Sequence, residues 1–89
     1  MIKVFDGIVP VKGFLYFTAP WCASCKSLAP VLEKSKVSVT KLDVSDPVCE
    51  QIANKYEVEH LPTMVRLSDN KYMVGSHQLP EIEEFLNGN

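Results

Sequence analysis

Phe14-Leu15-Tyr16-Phe17-Thr18-Ala19-Pro20-Trp21-Cys22-Ala23-Ser24-Cys25 is the stretch on which the reading of this chain turns. Its first half opens after Gly13 and is aromatic or apolar almost throughout, without the alternation that leaves one strand face in water. Such a run predicts a central strand covered on both sides, as in sheets that carry helices on each face. Beyond Trp21 the period changes. Cys25, Leu28, Ala29 and Leu32 recur at helical spacing, with Lys26, Glu33, Lys34 and Lys36 mostly elsewhere, which predicts an amphipathic helix from Cys22 to about Lys36. Pro30 falls inside it, where the loss of a backbone donor and the crowding of the preceding turn predict a kink.

Outward from that strand and helix the same signals continue. Ile2-Lys3-Val4-Phe5 reads as a short strand, and Val37 to Val44 as a β-branched, alternating one. Asp46-Pro47 then supplies an N-cap and a first-turn proline for a helix through about Tyr56, with Val48, Cys49, Ile52, Ala53 and Tyr56 as its apolar stripe. Thr63 to Leu67 and Tyr72 to Val74 flank the polar turn Ser68-Asp69-Asn70-Lys71, the pattern of an antiparallel hairpin. Pro80 opens a last helix, with Glu81, Glu83 and Glu84 near its positive end and Leu79, Ile82, Phe85 and Leu86 as its apolar side. The order β-β-α-β-α-β-β-α predicts an α/β layer fold, a mixed sheet with helices on both faces.

With 89 residues, 46% hydrophobic and 22% charged, the chain has room for one core, so residues 1–89 are expected to form a single domain, ordered except for the Asn87-Gly88-Asn89 tail. The formal charge is −2, spread along the chain, which argues against nucleic acid or an anionic membrane surface as partner. No apolar run approaches the roughly 18 residues of a membrane helix. Asp6 stands where a signal peptide would be apolar, so a cytoplasmic monomer is the expectation. Three cysteines, only two of them close in sequence, do not make a disulfide scaffold. They read as a reactive pair and a bystander.

The pair, Cys22 and Cys25, falls where the central strand ends and the helix begins. Free backbone N–H groups and the positive end of the helix dipole stabilise a thiolate there, making Cys22 a nucleophile near neutral pH. Cys25 lies one turn inward on the same face, placed to attack a mixed disulfide formed at Cys22. The other readings are half of a zinc site or two inert thiols. A zinc site needs a second Cys-x-x-Cys or a spaced His pair to complete four ligands, and neither is present. No metal and no cofactor are expected.

Phe17-Thr18-Ala19-Pro20-Trp21-Cys22-x-x-Cys25-Lys26, followed by Ala29-Pro30 and then Leu61-Pro62-Thr63, resembles the thioredoxin signature in order and spacing. The likeness runs from about Phe14 to the C-terminus. It implies the thioredoxin fold with a shortened N-terminal segment, and protein-disulfide reduction by dithiol exchange at Cys22 and Cys25. It also implies disulfide-containing proteins as substrates, and thioredoxin reductase or an equivalent dithiol donor as the partner that resets the pair. By the same resemblance Pro62 would be a cis-proline facing the disulfide, and Trp21, Leu61, Pro62, Val74 and Gly75 would line a substrate groove.

The chain departs from the family pattern in three places. Its segment before the active site is short. Tyr16 stands where many thioredoxins carry a buried acid, so Lys41, resembling that acid's usual partner, would lack it, and the proton of Cys25 would leave by the Tyr16 hydroxyl or by water. Ala23-Ser24 replaces the common Gly-Pro, and Ser24 has a backbone donor that would stabilise the Cys22 thiolate. His60, next to Leu61, is either a charge near the thiolate or a solvated loop residue. Cys49 reads as a buried structural thiol, His77 as plain surface, and Trp21 as an exposed contact residue. Two other functions stay in view. A glutaredoxin-like, glutathione-dependent protein would carry Cys-Pro-Tyr-Cys and a late Gly-Gly, both absent. A non-catalytic binding module of the same fold would leave the pair incidental.

Overall fold

The computed structural model describes residues 1–88, in the order β1 (Ile2–Val4), β2 (Phe14–Thr18), α1 (Ala23–Glu33), β3 (Val39–Asp43), α2 (Pro47–Lys55), β4 (Thr63–Arg66), β5 (Lys71–Val74) and α3 (Leu79–Asn87). The strands form one mixed sheet in the order β1-β3-β2-β4-β5, in which β3 runs parallel to β1 and β2 while β4 is antiparallel to both β2 and β5. All of β2 is buried, as its unbroken apolar run requires. Its side chains divide by alternation. Phe14 and Tyr16 pack with Leu28 and Leu32 of α1 and Ile82 and Leu86 of α3, whereas Leu15 and Phe17 pack with Cys49 and Ala53 of α2. Phe5 and Val9, from the segment before β2, add to the cover on the α2 side.

Four expectations about the helices and their flanks are corrected. Helix α1 stops at Glu33 with Lys34 as C-cap, because the Lys34 and Ser35 N–H groups turn back onto the carbonyls of Val31 and Leu32 and tighten the last turn. It is a single helix with Pro30 inside it. Val48 is exposed rather than part of the α2 stripe. The buried line runs through Cys49 and Ala53 with Ile52 and Tyr56 at its margin, and Val48, one residue before Cys49, falls about 100° round the helix. The strand expected from Val37 begins at Val39. At the C-terminus Asn87 ends α3 and Gly88 is its C-cap, donating its N–H to Glu84 at 2.9 Å, so these residues belong to the helix end and not to a tail. Asn89 lies outside the described residues.

The hairpin and α3 are fastened by Arg66. Its guanidinium grips both carboxylate oxygens of Asp69 at 3.0 Å, donates to the Phe85 carbonyl at 2.8 Å, and lies 5.0 Å from the centre of the Phe85 ring. This fixes the far end of the sheet. The opposite end, where β2 stops and β4 starts, is left to the cysteines.

Candidate functional site

Cys22 and Cys25 form a disulfide at the end of β2, with Cα atoms 5.2 Å apart. Cys22 is the N-cap of α1: its backbone is extended, and its sulfur accepts the Cys25 N–H at 3.1 Å. That N–H is one of the donors a helix leaves unpaired at its start, so the sulfur sits in the position that oxygen takes in an ordinary cap. Cys22 is half-buried, while Cys25, on the inner face of the same turn, is only 2% exposed. The more open member of the pair is therefore the one at the helix terminus. Ser24, the donor expected from the sequence, is not the one bonded to the sulfur; the peptide of Cys25 fills that role. An N-cap side chain reaches the N–H of N2 or N3, which here belong to Ser24 and Cys25, and the sulfur takes the N3 donor.

Tyr16 is 1% exposed and donates its hydroxyl to the Cys25 carbonyl at 3.1 Å. Burial pushes its pKa up, so the phenol stays protonated. The hydroxyl ties the first turn of α1 to the central strand. Beside it a cavity of about 460 Å³ opens onto Cys25 and is lined by Tyr16, Thr18, Lys26, Lys41 and Asp43 among others. Lys41 thus lines the same cavity as Cys25. Asp43 comes with it, a residue the sequence reading passed over, although the alternation of β3 places 39, 41 and 43 on one face. The Asp43 carboxyl is held below its ordinary pKa by the Ser45 hydroxyl at 2.6 Å and the Ser45 N–H at 2.9 Å, with the Lys41 charge adding to this.

On the front of the disulfide Trp21 is 71% exposed and shares a cleft of about 190 Å³ with Leu61, Val44, Val58, Glu50 and Glu59. Pairing of Phe17 with Thr63 puts Pro62 beside the end of β2. The Leu61–Pro62 bond is cis, and the Pro62 ring is fully buried, so it supports this end of the sheet while Leu61 is the partly open neighbour. The Pro62 carbonyl accepts the Gly75 N–H at 2.8 Å, which draws the end of β5, with Val74 49% exposed, toward the same loop. His60 is exposed, and it is its carbonyl, bonded by the Thr63 hydroxyl at 2.6 Å, that is engaged. Ala23 is likewise exposed. Among the described residues no three metal-binding side chains cluster, and no helix is long and apolar enough to cross a membrane.

Comparison with known proteins agrees with this geometry. The family model for thioredoxin matches residues 6–88. The chain is similar to thioredoxin C-2 of Corynebacterium nephridii, 34% identical over 95 residues that span 97% of this chain and 84% of that protein. It is also similar to the thioredoxin of Bacillus subtilis, 35% identical over 80 residues covering 80% of this chain and 75% of the relative. Among solved structures, a mutant thioredoxin from Halobacterium salinarum superposes with a TM-score of 0.72 at 26% identity, covering 85% of this chain and 72% of that one. With a matching fold, a disulfide-bonded Cys-x-x-Cys pair at a helix start and relatives of this identity and coverage, the chain belongs to the thioredoxin family and is a thiol–disulfide oxidoreductase.

Proposed function

We propose that the chain works as a reductant of protein disulfides, with Cys22 as nucleophile and Cys25 as resolving thiol. The observation that carries this assignment is the contrast in placement: Cys22 caps α1, half-exposed, and Cys25 is buried one turn inward. The Cys22 thiolate attacks one sulfur of the substrate disulfide, and the other substrate sulfur leaves as a thiolate and takes a proton from solvent. Cys25 then loses its proton through the cavity lined by Tyr16, Lys41 and Asp43 and attacks the Cys22 sulfur. The second substrate sulfur departs, the substrate has gained two electrons, and the Cys22–Cys25 disulfide has formed.

A dithiol donor of the thioredoxin reductase kind returns the pair to the reduced state, which suits a cytoplasmic setting where such donors operate. Both sulfurs come from one chain, so a monomer suffices. Trp21, Leu61, Val74 and Gly75 form the wall on which a substrate chain docks, with Pro62 beneath them. Glutathione is the weaker reductant in this reading.

The test is insulin-disulfide reduction with either thioredoxin reductase or glutathione as the electron source. Turnover should depend on the reductase, fall to background in Cys22→Ser, and stop in Cys25→Ser at a mixed disulfide visible by mass. Full turnover in Cys22→Ser would sink the assignment.

A further inference from the structure

The loop between β5 and α3 carries His77, whose ring is tied at both ends. Nδ1 lies 3.0 Å from a carboxylate oxygen of Glu81, and Nε2 lies 2.9 Å from the Val74 carbonyl oxygen. A neutral imidazole has one N–H and one lone pair, so it serves one of these acceptors and turns its lone pair against the other. The imidazolium donates to both. Two acceptors on two ring nitrogens therefore select the charged form. The groups facing the ring are the Glu81 carboxylate on α3 and the Val74 carbonyl at the end of β5; both hold the proton on, Glu81 most strongly, and partial burial opposes them.

What the ring holds lies close to the disulfide end of the sheet. Gly75 follows Val74 with φ +89, a bend open to glycine, and donates its N–H to the carbonyl of Pro62 at 2.8 Å. Thr63, the next residue, pairs with Val74 across the hairpin and with Phe17 of the central strand. A continuous path thus runs from Glu81 through His77 and the end of β5 to the loop beside the disulfide.

We propose that His77 is a positioning residue for disulfide exchange: its imidazolium ties the end of β5 to α3, keeps the Gly75–Pro62 hydrogen bond closed, and so holds one wall of the substrate groove. The inference rests on the groove assigned above. Its direction with pH follows from the raised affinity of the ring for its proton in the folded chain. The tie is complete below the ordinary histidine range and is lost as pH rises through the higher folded value.

The experiment follows the wild type and His77→Gln across the histidine range, from about pH 6 to about 8.5. Insulin reduction is resolved into KM and kcat, and hydrogen exchange of the Gly75 amide is measured by NMR with correction for intrinsic rates. Glutamine keeps a donor for the Val74 carbonyl but does not titrate. The wild-type KM should rise about threefold along the NMR titration of the ring, the weight of one net hydrogen bond. Gly75 protection should fall over the same range, and neither change should occur in His77→Gln. Superimposable KM profiles for the two proteins, or Gly75 protection that ignores the ring, would overturn the proposal while leaving the reductase function standing. Absence of insulin turnover at every pH would sink the reductase reading and the groove role together.

Discussion

The N-terminal turns of α1 and α2 pose the same physical situation and resolve it in opposite ways. Each helix follows a strand of the sheet, and each has a buried cysteine as its third residue, Cys25 in α1 and Cys49 in α2, so the two turns differ in what caps them. In α1 the cap is sulfur: Cys22 accepts the Cys25 N–H and remains half-exposed. In α2 the cap is a carboxylate, with Asp46 accepting the Val48 N–H at 2.8 Å, and Cys49 is 5% exposed against the sheet. Burial pushes the Cys49 thiol up, and the Asp46 and Asp43 charges push it further. A helix terminus makes a reactive thiol only where no anion has already taken its donors and where the sulfur meets solvent.

That contrast predicts its largest effect in reactivity. Alkylation of the reduced protein near neutral pH should label Cys22 faster than Cys49 by about tenfold or more, since the thiolate is the reacting form. Peptide mapping of a brief labelling time course measures this, and Cys49 reacting first would reverse the comparison.

A smaller effect is expected from removing the second thiol altogether. Cys49→Ala should retain insulin-reductase activity and lose about 1 kcal/mol of stability in denaturant unfolding, the cost of a small buried group. Loss of turnover in the folded variant would give Cys49 a part in the chemistry.

Smallest of all is the electrostatic share. Asp46→Asn keeps a side-chain oxygen for the cap, so helix stability should change by only a few tenths of a kcal/mol. Removing the charge should nonetheless lower the Cys49 pKa toward its ordinary value, since that carboxylate is one of the groups raising it. Absorbance titration of thiolate in a Cys22→Ser, Cys25→Ser background isolates Cys49, and an unchanged or higher pKa would remove Asp46 from the causes and leave burial and Asp43.

Much of this arrangement was legible in the chain itself. The unbroken run Phe14–Thr18 marks the doubly covered strand, and Asp46-Pro47 marks the start of α2 by a cap and a proline that needs no donor. The pair Cys22 and Cys25 announces its own chemistry by standing at a strand-to-helix junction. Features that depend on how elements meet were not legible. Helix α2 ends with Glu57 in the left-handed region at φ 57, and the Val58 and Glu57 N–H groups bond back to Ala53 and Asn54. Glycine is the usual residue there and its absence hides the turn. His77 looked like plain surface because its partners, a backbone carbonyl and a carboxylate one helical turn on, become neighbours only when β5 and α3 are joined. The donor to Cys22 was misplaced by one residue for a similar reason, as cap geometry belongs to the folded turn.

The bond from the Tyr16 hydroxyl to the Cys25 carbonyl has a kinetic meaning. It ties the Cys25 backbone to the central strand, so under the roles proposed above the resolving thiol waits at a fixed range from a captured substrate. Because that thiol belongs to the same chain as Cys22, resolution in this scheme is unimolecular, and its rate owes nothing to the concentration of any free thiol. The proposed scheme accordingly makes the covalent complex with substrate short-lived, with release the default outcome of capture. On the roles proposed above the chain is suited to repeated turnover, and Cys25→Ser is the variant in which a partner should become isolable.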